Sequence, residues 1–240
     1  MANLGDLIIA NRNFYRSSKT SGRRKILAFL VSNDTYVTSL TMKFAKATAQ
    51  AAGAETIIIP NIIYSSSVAR LIESFRPWSI INMLLLMPKT LLIKFTTIAA
   101  HALEVSSGKS ILKINIDGIA VGQHIYDYLL TKCAVSYIDK VSFKMRLLII
   151  IELTYFFSSK KIIEAHKNPL VILPDNAYRQ GMIFELCKNS SIECLSGLSM
   201  TEFSIYHYKN DNDYKILTSL LYKIEYPLFK ETKSDKNFLT

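Results

Sequence analysis

Short apolar runs alternate with longer segments of helical periodicity over most of the chain. Residues 26–31, 56–59, 170–173 and 192–195 are mostly continuous apolar runs bounded by polar or turn-forming residues. Runs of this kind are typical of strands that are buried on both faces of a parallel sheet. A further apolar run, residues 111–116, predicts another strand, third in chain order.

Helical periodicity fills the intervals between these runs. Asn33 or Asp34 can cap a helix over residues 35–52, and Gly53 can end it in a left-handed conformation. Another helical pattern follows residue 122. Further helices are predicted over residues 65–75, 79–105, 137–167 and 177–188.

The repeated alternation of strand and helix predicts the fold class. Because helices separate consecutive strands, the strands are expected to run parallel, with helices on both faces of one open sheet. The expected architecture is a single α/β domain with a mainly parallel, Rossmann-like sheet over residues 25–210, in which residues 203–208 form an extended edge segment. Residues 1–24 are predicted to be a basic lead-in and residues 211–240 a C-terminal helical tail.

The net charge of +10 and the pI near 9.4 indicate attraction to a polyanion. The aromatic residues form no RNP-like block, so nucleic-acid binding would rest on charge alone and is not expected. Two interpretations stay open for the basic N-terminal segment: a solvated leader, or a contact with a partner or an anionic membrane surface. Its basic residues are Arg12, Arg16, Lys19, Arg23, Arg24 and Lys25.

Cysteine usage and the apolar segments bear on location. Cys133, Cys187 and Cys194 have no C-x-x-C spacing and lie in apolar contexts, which favours reduced, buried thiols in a cytoplasmic protein over a disulfide. No cleavable signal is evident. A proline and two lysines interrupt segment 78–100, and segment 147–157 is too short to cross a bilayer. Both are expected to be buried or interfacial helices.

A group of polar side chains lies between residues 113 and 130. An apolar run ends there at Asp117-Gly118, a pair that favours a turn because glycine accepts positive φ and aspartate can hydrogen-bond the following backbone. His124 and Asp127 are three residues apart on the helix that follows, so they share a face. Such a pair suits general base catalysis, with Asp117 as a second candidate carboxylate. The alternative is a partly buried histidine with a local hydrogen bond.

Polar or small residues follow every predicted strand. The carboxyl ends of parallel strands meet at one edge of a sheet, where ligands bind in folds of this class, so these residues are expected to form a binding edge. Asn, Asp and Gly are also ordinary turn formers, which is the alternative explanation. Tyr178 and Arg179 lie just beyond the strand at 170–173, where they could stack on a ring and pair with a phosphate, or form ordinary helix surface.

The sequence contains none of the local signatures of a resident cofactor or metal. No glycine-rich dinucleotide fingerprint follows a strand, and there is no phosphate-binding loop, nucleophile elbow or metal-ligand spacing. No cofactor and no metal are therefore expected.

Two segments together resemble a family of bacterial proteins. They are INIDGIAVGQHIYDYLL at 114–130 and PLVILPDNAYRQGMIFELCKNSSIECL at 169–195. They are similar to the N-terminal half of glycosyltransferase-like proteins of surface or capsular polysaccharide biosynthesis, and the resemblance covers roughly residues 25–210. The matching positions are Gly118, Ile119, Val121, Gly122, Ile125, Tyr126, Asp127, Asp175, Tyr178 and Gly181.

The resemblance implies a function. Proteins of this family have two Rossmann-like domains, the GT-B arrangement, and bind the nucleotide sugar mostly in the second. This chain corresponds to the first, which implies an acceptor-side half that meets a sugar or lipid-linked glycan acceptor and engages a nucleotide sugar only with a second domain or chain. His124, Asp127 or Asp117 would deprotonate an acceptor hydroxyl, and the basic and apolar surface would suit the inner face of a membrane.

The alternative is a non-catalytic binding or assembly subunit that pairs with a separate donor-binding chain. In either case the residues expected to bind substrate are Asn33, Asp34, Gly118, Gly122, Tyr126, Asp175, Tyr178 and Arg179.

Overall fold

A six-stranded sheet forms the centre of the part of the chain that the structure describes. The computed structural model describes residues 4–14, 24–30, 34–60, 63–174, 178–196 and 206–208. The strands, numbered along the chain, are β1 (Lys25–Phe29), β2 (Glu55–Ile59), β3 (Ser79–Ile80), β4 (Asn115–Ile116), β5 (Ile119–Ala120), β6 (Leu170–Leu173), β7 (Cys194–Ser196) and β8 (Tyr206–Tyr208).

The main sheet has the strand order β3-β2-β1-β6-β7-β8. Its first five strands are parallel, and β8 pairs antiparallel with β7 at the edge, as the extended segment at 203–208 predicts. Ala28 of β1 lies between Ile58 and Ile172, so β1 is central. Strands β2 and β3 lie on one side of β1 within the sheet, and the chain then crosses to form β6, β7 and β8 on the other side. This is the predicted α/β, Rossmann-like sheet, and its topological switch point lies between β1 and β6.

Helices cover both faces of this sheet. Ile26 and Ala28 share a buried cluster with the helices of one face, whereas Leu27 and Phe29 point into the larger cluster on the other face. Because both faces are covered, consecutive positions are apolar in residues 26–29 of β1, 57–59 of β2 and 170–173 of β6. The helices of the first face are α1 (Leu4–Phe14), α2 (Thr35–Ala52) and α3 (Ser66–Ser74), and those of the second are α4 (Met83–Glu104), α5 (Gly108–Leu112), α6 (Gly122–Cys133), α7 (Phe143–Glu164) and α8 (Tyr178–Asn189).

Residues 108–122 form a separate unit instead of a strand of the main sheet. After α5, strands β4 and β5 pair antiparallel as a hairpin. Asp117 and Gly118 are its two turn residues, with φ of 53° and 85°. Positive φ at both positions is typical of a type I′ turn, for which Asp-Gly is a preferred pair. The predicted third strand over residues 111–116 is therefore wrong, because this Asp-Gly joins two short strands.

Gly122 holds the hairpin unit together by close backbone packing. Its N–H donates to the carbonyl oxygen of Ile114 at 3.0 Å. A Cβ at this position would overlap the carbonyl oxygen of Ile111 and would lie 2.7 Å from that of Leu112. The start of α6 can approach the end of α5 this closely only because residue 122 has no side chain.

Two element boundaries differ from the sequence prediction. Ser79–Ile80 is a short strand beside β2 instead of the start of a helix, and the apolar helix begins after it at Met83. The predicted helix over 137–167 begins at Phe143. Ser142 supplies the physical reason, because its side chain accepts a hydrogen bond from the Met145 N–H and so caps the helix there.

Part of the predicted basic lead-in is structured. Residues Leu4–Phe14 form α1, which packs on α3, and Asn11 Nδ2 donates to Ser74 Oγ at 3.2 Å. Arg24 and Lys25 pair with Glu193 and Glu55 of neighbouring segments. Lys25 therefore fastens the start of β1 to the adjacent strand β2, and Arg24 fastens it to the residue before β7, two strands away. Arg16, Lys19, Arg23 and the predicted tail at 211–240 lie outside the described residues.

Replacement of Gly122 by alanine is expected to cost about 3 kcal/mol of unfolding free energy, because an inserted methyl group must displace backbone carbonyls. Gly53→Ala is the matched control. Gly53, unlike Gly122, has positive φ, at 57°, but a Cβ placed there would meet no atom within 4 Å, so the loss should be about 1 kcal/mol. Urea denaturation measures both. Equal losses of unfolding free energy in the two variants would contradict the prediction, because they would show that α5 and α6 can move apart at little energetic cost.

Candidate functional site

The carboxyl ends of β1 and β6 flank the switch point, where ligands bind in sheets of this topology. Gln180, fully buried on α8, donates from Nε2 to the carbonyl oxygen of Phe29 at 3.2 Å. This bond ties the start of α8 to the last residue of β1. Asn33 and Asp175, both predicted to bind substrate, lie outside the described residues.

Asp34 lies at this edge as the N-cap of α2. Its Oδ1 accepts from the Tyr36 N–H at 2.7 Å and from the Val37 N–H at 3.3 Å. The side chain is exposed. The structure therefore places Asp34 where substrate contact was predicted and gives its carboxylate a capping role.

Arg179 and Glu152 form a buried ion pair beside the switch point. The guanidinium Nε lies 3.0 and 2.9 Å from the two carboxylate oxygens, and Nη2 lies 2.6 Å from Oε1. The Glu152 side chain is fully buried, and that of Arg179 is 16% exposed. Arg179, which was predicted to bind a phosphate, thus binds the carboxylate of Glu152 within the protein. This ion pair connects α7 to α8.

Two tyrosine rings enclose the Arg179 guanidinium. Its Cζ lies 5.2 Å from the ring centroid of Tyr128 and 5.2 Å from that of Tyr155. The pKa of the Glu152 carboxyl is raised by burial, while the hydrogen bonds and charge of Arg179 act in the opposite direction. Burial also raises the pKa of the Tyr155 hydroxyl. The cluster is consequently a network in a low-dielectric environment, in which each polar group needs the others as hydrogen-bond or ion-pair partners.

The outer rim of this cluster is accessible. Tyr178 is 41% exposed, and its hydroxyl oxygen accepts from Thr131 Oγ1 at 3.3 Å. Lys132, also exposed, holds its Nζ 5.8 Å from the Tyr128 ring centroid. An aromatic ring, a hydroxyl and an ammonium group thus face solvent at the carboxyl edge, a set that can stack on and hydrogen-bond a hydroxylated ligand.

His124 and Asp127 lie on α6, further from the edge. Gln123 Nε2 donates to both carboxylate oxygens of Asp127 at 3.2 Å. Burial lowers the pKa of the His124 imidazole, and the carboxylates of Glu185 and Asp127 raise it in part. Since Glu185 is six residues beyond Arg179 on α8, His124 lies about 9 Å along that helix from the ion pair.

Asp117 lies toward the opposite, amino edge of the sheet. Its Oδ2 accepts from Lys160 Nζ at 2.6 Å, and this hydrogen bond and charge lower the pKa of the Asp117 carboxyl. Lys160 is near the end of α7, which leads into the amino end of β6. The expectation that the Asp117-Gly118 turn lies at the carboxyl edge is therefore wrong, because the turn belongs to the hairpin and not to a sheet strand.

Gly118, Gly122 and Tyr126 also have structural surroundings. Gly118 completes the hairpin turn, and Gly122 packs against α5. Tyr126 packs on Gly108 and on the buried cluster of the second face. These predicted substrate contacts are positions at which the chain packs on itself.

Sequence reasoning missed four members of the switch-point network: Tyr128, Glu152, Tyr155 and Gln180. One signal for Glu152 was present. A single carboxylate within the apolar segment 147–157 needs a partner if the helix is buried. The nearest arginine after the following strand is Arg179.

Comparison with known protein families, with curated proteins and with solved structures found no match. In the described part of the chain, no group of three or more His, Cys, Asp and Glu side chains is placed to hold a metal ion. Among the same residues one helix, Met83–Glu104, is long and apolar enough to cross a membrane, and only 17% of its most apolar window is buried.

Glu152→Leu and Arg179→Met are each expected to lower the unfolding free energy by about 3 kcal/mol or more, because each leaves one buried charge unpaired. The double variant should lose much less than the sum of the two, since it buries no unpaired charge. Chemical denaturation of the original chain, the two single variants and the double variant gives the coupling energy between Glu152 and Arg179. The exposed Asp117–Lys160 pair is the matched control and should contribute less than about 1 kcal/mol.

The lowered pKa of His124 predicts a pH dependence of stability. The unfolded chain, with a histidine pKa of about 6.5, binds the proton first as the pH falls. Stability is therefore fully present above that value and is lost as the pH falls through the lower pKa of the folded state. Thermal midpoints between neutral pH and mildly acidic pH should fall less steeply for His124→Gln than for the original chain. Identical slopes would contradict the burial of His124.

Proposed function

We propose that this chain is the acceptor-side half of a GT-B-type glycosyltransferase of bacterial surface polysaccharide biosynthesis. The observation that carries the proposal is the strand order β3-β2-β1-β6-β7, because ligands of such sheets bind at the switch point, here between β1 and β6. The resemblance of residues 114–130 and 169–195 to that family supplies the reaction class.

The accessible side chains at this edge support a sugar acceptor. The exposed Tyr178 ring can pack against the apolar face of a pyranose, and Thr131 and Lys132 can hydrogen-bond its hydroxyl groups. Arg179 is engaged by Glu152, so the described part of the edge favours a hydroxylated ligand over a phosphate. A nucleotide sugar would require a second domain or chain.

His124 and Asp127 remain the candidates for deprotonating the acceptor. Burial favours the neutral imidazole of His124, the form that accepts a proton. A cytoplasmic location belongs to the same proposal, and it is supported by the free thiols of Cys133, Cys187 and Cys194.

A non-catalytic assembly subunit is the second candidate. It is favoured by the position of His124, about 9 Å from the switch-point ion pair along α8, and by the hydrogen bonds that Gln123 makes to Asp127. In this case the chain would contribute its edge to the acceptor and leave proton transfer to its partner.

The test measures transfer of a radiolabelled hexose from UDP-glucose or UDP-galactose to bacterial membrane lipids. The chain alone, the polypeptide encoded next to it, and their mixture are compared. Transfer is expected only in the mixture, because donor and acceptor sites lie on different halves. His124→Ala and Asp127→Asn should each reduce turnover about tenfold or more.

His166→Ala and Asp139→Asn are the matched controls, since His166 lies at the amino edge and Asp139 is an exposed residue before α7. They should leave transfer unchanged. An active mixture that tolerates both α6 variants would support the assembly subunit. Transfer by the chain alone, or an inactive mixture, would contradict the acceptor-side half.

A further inference from the structure

The outer face of α4 exposes large apolar side chains. Leu85, Leu92 and Leu103 lie on one side of the helix and are 72%, 80% and 71% exposed, and Phe95, about a quarter of a turn away, is 60% exposed. The inner face is buried, with Ile98 and Ala102 in the core cluster that includes α7. The helix is thus attached to the domain along one side and presents a second apolar side to solvent.

The charge of α4 has one sign along most of its length. From Met83 to Leu103 the sequence contains Lys89 and Lys94 and no aspartate or glutamate. Both lysines are exposed. Lys89 lies among the leucines of the outer face, whereas Lys94, two residues after Leu92, lies on the side of α4 that faces Phe157 of α7. A basic helix with an apolar outer face is typical of helices that lie in the interface of an anionic bilayer.

A cleft of 320 Å³ between α4 and α7 extends this basic surface. Lys94, Lys160 and Lys161 line it, against the carboxylates of Asp117 and Glu164. Lys160 is paired with Asp117, whereas Lys94 Nζ lies 5.6 Å from the Phe157 ring centroid. Apolar walls next to ammonium groups suit an anionic headgroup whose acyl chains continue onto the apolar face.

We propose that α4 docks this domain on an anionic phospholipid bilayer, lying in the plane of the membrane with its outer face among the lipids. The lysine-lined cleft between α4 and α7 receives a lipid phosphate. A transmembrane orientation is disfavoured by Ile98 and Ala102, whose burial against the domain would have to be given up. This inference goes beyond the proposed function and requires no glycosyl chemistry.

The lysines favour a bilayer over a second copy of the chain. A two-fold symmetric dimer would bring the same patch of both copies together. Lys89, which lies on this face, would then come close to Lys89 of the other copy, and such like-charge contacts are unfavourable. Anionic headgroups instead complement these residues.

Flotation with vesicles tests the proposal. The full chain is mixed with vesicles of phosphatidylcholine, or of phosphatidylcholine with phosphatidylglycerol, at low and at high salt. Binding is expected to the anionic vesicles and to weaken with salt. Lys89→Gln with Lys94→Gln should reduce the partition coefficient about thirtyfold. Leu85→Ser with Leu92→Ser and Phe95→Ser should reduce it about tenfold or more.

The matched control changes Tyr36→Ser with Lys43→Gln on α2, which covers the opposite face of the sheet. It should bind as the original chain does, and circular dichroism verifies that every variant is folded. Equal binding to both vesicle types, an equal loss in the α2 control, or α4 variants that bind normally would overturn the proposal. So would α4 variants that turn a dimer into a monomer without changing vesicle binding. None of these readouts depends on sugar transfer, so this inference and the proposed function fail separately.

Discussion

The buried ion pair between Glu152 and Arg179 fixes the layout of the switch point. Removing two charges from water costs several kcal/mol per ion, so the pair persists only with close geometry and additional partners. The structure supplies both, through the bidentate contact and the enclosing rings of Tyr128 and Tyr155. The next residue, Gln180, binds the end of β1. Elements β1, α6, α7 and α8 therefore meet at one small network, which positions the exposed Tyr178 beside the crevice.

Residues 117–125, in the segment on which the predicted family resemblance rests, form part of a folding unit. Asp117 and Gly118 form the hairpin turn, Val121 and Ile125 are buried, and Gly122 allows α6 to approach α5. Glycines and apolar residues at fixed spacing are required by this packing whatever the chemistry of the protein. The spacing of these positions is therefore explained by packing and does not by itself indicate catalytic residues.

Local signals allowed much of the fold to be predicted from sequence. The buried strands, the Asp34 cap and the Gly53 stop depend on neighbours in the chain and were confirmed. Residues 111–116 were misassigned because a short apolar run does not distinguish a sheet strand from a helix followed by a hairpin strand. The preference of Asp-Gly for type I′ turns could have decided between them.

The candidate site was harder to predict because it depends on contacts between distant segments. Tyr178 and Arg179 were identified from the end of a strand, but the partner of Arg179 is 27 residues away in sequence. The carboxyl edge of the sheet could be inferred from topology. The placement of Asp117 at that edge was wrong because it depended on an incorrectly predicted strand. Sequence position alone could not show that His124 packs near Glu185, since that contact depends on the antiparallel packing of α6 on α8.

The apolar outer face of α4 is not required by the fold. Ile98 and Ala102 already bury the inner side of this helix, so polar residues at positions 85, 92 and 103 would leave the core intact. Removing a leucine side chain from water is favourable by about 2 kcal/mol, which gives this face a substantial driving force toward an apolar phase. The core and the switch-point network use other residues. The surface proposed to meet a membrane can therefore vary separately from the edge that would meet an acceptor.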